Sequence, residues 1–264
     1  EFHRMPLKFF PPSEDITMKI IWQIDPEDVA QVKDFLERHR DNAYVRKRIE
    51  TNLRAEKPSV TRETFWYTMV GCLLTTQQRS GPNGPVSRFL TEPFPLRYEV
   101  CVGHPDLASF VRNMLTEFGG IRRANTIGKE MAVNLAYLEA GGWEPTFAHL
   151  DKVRLNSSPQ TERKAAEFVD SHLRGFGPKQ SRNLLQWLGL SRYEIPIDSR
   201  VTKWLNRFGF PVKLNAFCLA DPVYYNFVSD GFRRLCEACD IVPCVLDAAI
   251  FASFDGDKWT DENV

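Results

Sequence analysis

An excess of charge of either sign is what this sequence most plainly lacks. Its 264 residues carry 34 Lys+Arg against 34 Asp+Glu, a formal net charge of zero. That balance excludes a histone-like polycation and, taken alone, argues against a nucleic-acid partner. Long apolar runs are also missing. None approaches the roughly 18 residues that a membrane span needs, and no charged-then-apolar leader opens the chain. There is no low-complexity tract and no repeat of fixed period, so collagen, coiled coil and disorder are excluded. Strand signal is scarce and confined to residues 19–23. The six cysteines (Cys72, Cys101, Cys218, Cys236, Cys239, Cys244) come without a secretion signal and read as reduced thiols. A soluble intracellular protein is the expectation.

What the sequence does have is helical periodicity over an apolar fraction of 43%, enough for a substantial core. Asp25-Pro26 followed by Val29, Val32, Phe35 and Leu36 predicts a capped amphipathic helix. Residues 61–77, with Phe65, Trp66, Met69, Val70, Leu73 and Leu74, predict a buried helix ending at the Pro- and Gly-rich turn 80–85. Further helices are predicted over 106–118, 122–138, 161–173, 179–188, 199–208, 222–239 and 243–254. Gly119-Gly120 and Gly141-Gly142 read as helix stops. The fold class expected is all-α, with the helices in two lobes. Residues 1–4 precede Met5 and read as a cloning remnant. Residues 5–60 are expected to join the second lobe, 61–160 to form a first lobe, and 161–264 to hold the chemistry and the C-terminal helices.

The most informative stretch runs Leu173-Arg174-Gly175-Phe176-Gly177-Pro178-Lys179-Gln180-Ser181-Arg182-Asn183. Two helical patterns flank a tight turn whose glycines permit positive φ and close backbone approach. Unpaired N–H groups at the start of the following helix can bind a phosphate without reading sequence. The glycines alone fit an ordinary helical hairpin equally well. Lys179 adds chemistry, because a helix N-terminus disfavours an added positive charge and desolvation lowers an amine pKa. A neutral amine there can attack an electrophilic carbon.

Nineteen residues later stands Asp198, in Ile195-Pro196-Ile197-Asp198-Ser199-Arg200, placed to cap the next helix and to stay ionised. The intervening helix advances about 15 Å. The nine residues that return can span roughly 30 Å, so the two groups can meet. An amine nucleophile and a fixed carboxylate facing one pocket suit substitution at a sugar C1′. Alone, Asp198 is equally well only a helix cap, and Lys179 only a surface cation.

With these residues in place, the chain resembles the helix-hairpin-helix (HhH-GPD) DNA glycosylase superfamily, which includes endonuclease III and the 8-oxoguanine DNA glycosylases. The family's hairpin, L-x-G-hydrophobic-G-x-K, is matched by Leu173, Gly175, Phe176, Gly177 and Lys179. Its aspartate, after a hydrophobic-Pro/Ala-hydrophobic run, is matched by Ile195-Pro196-Ile197-Asp198. The Lys-to-Asp interval is similar to that of the 8-oxoguanine branch. Too little chain precedes Phe65 for the β-rich domain of the eukaryotic type, so the likeness is to the helix-only types. Many relatives carry His two residues after the aspartate, where this chain has Arg200.

The resemblance implies a base-excision-repair enzyme acting on double-stranded DNA with a damaged base, working as a monomer in the cytoplasm or nucleoid. Lys179 would form a Schiff base and Asp198 would assist it, giving glycosylase and AP lyase activities, with 8-oxoguanine the expected base. DNA contacts would come from Gln77, Gln78, Arg79, Gly175, Gly177, Gln180, Arg182 and Arg200, with Gln77 (or Gln78) filling the gap left by the extruded base. An amide at a helix end can bond the orphaned base through its donor and acceptor. Asn183, four residues after the lysine, Trp66, Phe254 and Trp259 are base-pocket candidates, with Trp187 and Phe251 as further stacking surfaces.

No metal site is expected. Endonuclease III relatives hold a [4Fe–4S] cluster on C-x6-C-x2-C-x5-C, whereas Cys236, Cys239 and Cys244 depart from that spacing and Cys218 lies far upstream. A monovalent cation at the hairpin is the one cofactor the resemblance allows. The alternatives are a non-catalytic helix-hairpin-helix DNA-binding protein, and a glycosylase for another modified or alkylated base. The neutral charge balance does not oppose these readings. Residues 171–210 hold seven Lys/Arg and two Asp/Glu, a local surplus of five positive charges.

Overall fold

The computed structural model describes residues 20–78, 81–255 and 259–263. Among them there are helices and turns but no strand, in the order α1 Pro26–His39, α2 Ala43–Asn52, α3 Arg62–Leu74, α4 Pro85–Leu90, α5 Tyr98–Cys101, α6 Leu107–Phe118, α7 Ala124–Tyr137, α8 Trp143–Leu155, α9 Pro159–His172, α10 Pro178–Trp187, α11 Ser199–Phe208, α12 Pro222–Cys239 and α13 Pro243–Asp255. Residues 20–23, where strand was expected, carry no regular secondary structure, and Lys19 lies outside the described residues.

Two apolar cores divide these helices. The first joins Trp66, Met69 and Leu73 of α3 to Val111 of α6, Met131 of α7, Leu150 of α8, Val169 of α9 and Leu184 of α10. The second joins Val32 of α1 to Val201 and Leu205 of α11, Tyr225 and Phe232 of α12 and Leu246 of α13. A satellite cluster packs Val45 of α2 on Ala248, Ala249 and Ala252 of α13. The N-terminal helices thus return to pack on the C-terminal ones. Helix α13 is apolar on almost every face, as a helix packed on several sides must be. The cores part between Leu190 and Ile195, and α9 and α10 pack within the first. The connection from α10 to α11 therefore carries the chain from one lobe to the other.

Several helix limits differ from expectation for local reasons. Helix α3 stops at Leu74, because the Thr75 and Thr76 hydroxyls donate to the Cys72 carbonyl (2.9 and 3.2 Å) and Gln77 turns to φ +56°. Pro85 does not prolong the loop but opens α4 at its first position, where its missing N–H costs nothing. Gly141, at φ +105°, breaks the helix as expected, yet the chain passes through one π-type turn, Leu138–Gly142, directly into α8. Helix α2, which the sequence did not announce, is short and mostly charged or polar, and Asn42 caps it through a 2.9 Å bond from the Tyr44 N–H.

Candidate active site

The hairpin between α9 and α10 is built by a few specific contacts. Gly175 adopts φ +84°, and a Cβ there would lie 2.6 Å from Leu73 and 2.7 Å from the Glu130 carboxyl. Only glycine fits. The Asn134 side chain, wholly buried on α7, holds the turn from inside: it accepts from the Arg174 N–H (2.7 Å) and donates to the Arg174 carbonyl (3.0 Å). Phe176 is buried in the first core. Gly177 then caps α10 with extended backbone, and Pro178 takes the first helical position. The first turn of α10 contains no acidic residue, so its free N–H groups remain open to an anion.

Helix α10 lies unusually close to α3. A Cβ on Gly71 would meet the Trp187 ring at 2.7 Å, so a side chain on α3 is dispensed with there and α10 comes in. The Gln180 amide fixes the contact, donating to the Cys72 carbonyl (2.6 Å) and the Thr76 hydroxyl (2.7 Å). The Gln180 side chain is thereby buried against α3 and engaged within the fold. Its Oε1 accepts a 3.3 Å bond from Lys179 Nζ.

Lys179 is half-buried on the wall of a cleft between the two cores. Burial holds its amine below the ordinary value of 10.5, Arg200 lowers it further, and the carboxylates of Asp198 and Asp247 oppose the shift. The nearby Cys72 supplies no counter-ion, because burial pushes its thiol up to about 12. The lysine is therefore disposed toward its neutral, nucleophilic form.

Asp198 faces the same cleft from the other lobe. The segment that presents it is anchored along most of its length. Glu162 of α9 accepts the N–H groups of Arg192, Tyr193 and Glu194 (2.9, 2.7 and 2.9 Å). Tyr225 of α12 donates to the Ile195 carbonyl (2.8 Å) and accepts from the Ile197 N–H (2.7 Å). Asp198 then caps α11, its Oδ1 accepting from the Arg200 and Val201 N–H groups (2.7 and 3.1 Å). Arg200 completes the arrangement with a 3.2 Å bond to Asp198 Oδ2, a pairing with Asp255 and a guanidinium 4.1 Å from the Phe251 ring centroid.

The cleft between the lobes encloses about 740 Å³. Lys179, Asn183, Trp187, Asp198, Arg200, Phe254 and Trp259 all line it, as does Gln77 at the end of α3. Gln77 is exposed and turned out by its positive φ. Gln78 is instead held down, donating to the Gly120 carbonyl (2.9 Å) and accepting from the Arg122 N–H (2.8 Å). Arg79 lies outside the described residues.

Two expected site residues lie elsewhere. Trp66 is fully buried in the first core, with its indole N–H on the Leu96 carbonyl (2.9 Å), so it cannot stack on a base. Arg182 is 2% exposed and bonded to Glu194 (2.6 Å), Asn226 (2.8 Å) and the Pro178 carbonyl (3.0 Å). It ties the lobes together and is closed off from solvent.

The sequence reading missed Asp247 and Tyr44. Asp247 lies on α13, where burial raises its carboxyl to about 6 despite the attraction of Arg48 and a 2.9 Å bond from Gln186 to Oδ2. The signal available was the one acid in a mostly apolar stretch from Pro243 to Phe254. Tyr44 stacks on Phe251 (4.5 Å, 17°) and lies 5.0 Å from the Trp259 ring. It could not be inferred without knowing that α2 packs on α13. Cys218 is exposed, Cys236 and Cys239 belong to the second core and Cys244 to the satellite cluster.

Solved structures of DNA glycosylases are similar to this chain in fold. The 8-oxoguanine DNA glycosylase of Thermotoga maritima, Tm1821, superposes with a TM-score of 0.64 at 18% identity, over 88% of this chain and 100% of the other. The Methanocaldococcus jannaschii 8-oxoguanine glycosylase/lyase, crystallised with a 15-mer DNA containing 8-oxoguanine, gives 0.62 at 15% identity over 85% and 96%. A further structure of the M. jannaschii glycosylase, MjOgg, gives 0.61 at 16% identity over 88% and 96%. This is the helical DNA glycosylase fold. No family model matches the sequence, and no curated protein matches it significantly. Within this fold, the hairpin lysine and the capping aspartate lie on opposite lips of one interlobe cleft.

Proposed function

We propose that the protein is a monomeric base-excision DNA glycosylase with AP lyase activity, and that 8-oxoguanine in duplex DNA is its substrate. The observation that carries the proposal is the pairing, across one cleft, of a half-buried lysine of lowered pKa with a carboxylate fixed as a helix cap. The N–H groups of α10 would hold a backbone phosphate beside the extruded nucleotide. The carbonyl oxygens of the 173–177 turn would suit a monovalent cation there. Gln77 would enter the duplex, and Phe251, Phe254, Trp187 and Trp259 would enclose the base. Asp247, on the cleft wall, has its Oδ2 bonded to Gln186 and would accept from a donor edge such as guanine N1–H.

The chemistry follows from the two groups. As the C1′–N9 bond breaks, the base departs with the bonding electron pair and takes up a proton. Asp198 stabilises the positive charge that develops on the sugar. The neutral Lys179 amine bonds to C1′, and loss of its proton with ring opening gives the imine. Removal of a C2′ proton then expels the 3′ phosphate by β-elimination.

Borohydride trapping on a panel of lesion and abasic duplexes tests this reading. The expected result is a covalent adduct, strongest with 8-oxoguanine, that is lost in Lys179→Gln. Lesion binding with no adduct for any duplex would favour the non-catalytic binder, and an adduct only with another lesion would reassign the base.

A further inference from the structure

A second concavity of about 410 Å³ lies beside the main cleft, between α11 and the segment 213–216. Ser199, Lys203 and Asn206, from successive turns of α11, form one wall, and Lys213 and Leu214 belong to the other. Ser199 and Lys203 also line the main cleft, so the two are continuous. Lys203 and Lys213 supply the only charges in this lining, and among the described residues neither pairs with a carboxylate.

The opposite wall is held in place. The Asn206 side chain accepts from the Leu214 N–H (2.7 Å) and donates to the Leu214 carbonyl (3.0 Å), which fixes the residue next to Lys213 against α11. The Thr202 hydroxyl is committed to the Asp198 carbonyl (2.7 Å). The two ammonium groups, with the Ser199 hydroxyl and the Asn215 amide beside them, are the donors left to greet a ligand, and the charge they carry suits an anion.

We propose that this groove holds a backbone phosphate of the duplex arm that flanks the extruded nucleotide. The proposal rests on the glycosylase reading above. From Asp198 to Asn206, α11 advances about 12 Å. One DNA strand carries a charge every ~3.4 Å along the duplex axis. A strand leaving the cleft along α11 therefore brings a phosphate some two to four nucleotides from the lesion over the two lysines. The contact positions the duplex and reads no sequence.

The test is equilibrium binding to a duplex with a central tetrahydrofuran abasic-site analogue, measured against salt, together with the same duplex cut back to one nucleotide beyond the analogue on either side. Lys213→Ala is expected to reduce the log–log salt slope on the full duplex by about 0.9 and to weaken binding about 3-fold in low salt. Lys213→Arg should restore both. On one of the two shortened duplexes the alanine variant should match wild type, while its borohydride-trapping rate at saturating abasic DNA stays unchanged. An unaltered slope on the full duplex, or a deficit that survives on both shortened duplexes, overturns the proposal. Wild-type protein that does not prefer the abasic duplex to an undamaged one would instead overturn the glycosylase reading itself.

Discussion

At the scale of single residues, Lys179 and Asp247 are shifted by the same burial in opposite chemical senses. Burial disfavours the charged form of each, so the amine loses its proton more readily and the carboxyl keeps its own. For Lys179 the neutral fraction grows with pH. Single-turnover excision should rise with pH and level off below the 10.5 of an ordinary lysine amine; a rate still climbing past that value would contradict the assignment. For Asp247 the sign is that of a stability cost. Its folded-state value of about 6 exceeds the ordinary 3.8, so the native state binds the proton more tightly and stability falls as pH rises through that window. The cost at neutral pH is about 2–3 kcal/mol. Asp247→Asn should raise stability by a similar amount in urea unfolding at pH 7, with no gain at pH 3.5, and should lower 8-oxoguanine excision. A variant no more stable at pH 7 would show that the carboxyl is not held as described.

At the scale of elements, the segment before Asp198 depends on helices distant in sequence. Tyr225→Phe removes both bonds to Ile195 and Ile197 and leaves the ring in the second core. It should cost about 1–3 kcal/mol. Excision should slow while affinity for an abasic-analogue duplex is kept, because Asp198 shifts but the hairpin does not. Equal losses of rate and affinity would place the role of Tyr225 elsewhere.

The hairpin, its lysine and the capped helix after it were legible in the sequence because glycine, proline and capping residues act within a few positions of themselves. The faces of α10 were not. Gln180 and Arg182 read as surface groups, yet this helix is buried on nearly every side and its polar residues serve as links, to α3 and to α12. Trp66 failed for a related reason: in a helix as uniformly apolar as α3, composition cannot separate the pocket wall from the core. Tyr44 and Asp247 become site residues only through the packing of α2 on α13 and of α10 near both, which is long-range information.

At the scale of the whole molecule, the proposed DNA-binding role is compatible with a neutral chain because its charge is segregated. The surplus of positive charge lies in 171–210, and structure trims it: Arg182 is turned inward, while Arg174, Lys203 and Arg207 remain exposed. With so few free cations, binding to undamaged duplex should be weak and lose about 10- to 150-fold between 50 and 200 mM salt, the loss carried by two to four neutralised phosphates. Salt-independent binding would exclude the α11 stripe as the contact.

The two lobes have separate cores, Lys179 on one and Asp198 on the other, so the cleft exists only when both are folded and joined. The central claim is that this lysine bonds covalently to the sugar of a damaged nucleotide. Borohydride trapping on an 8-oxoguanine duplex, with wild type and Lys179→Gln side by side, tests it most directly. The account predicts a cross-linked species with wild type and none with the variant. No adduct from wild type on any lesion or abasic duplex, or an adduct undiminished in Lys179→Gln, would contradict it.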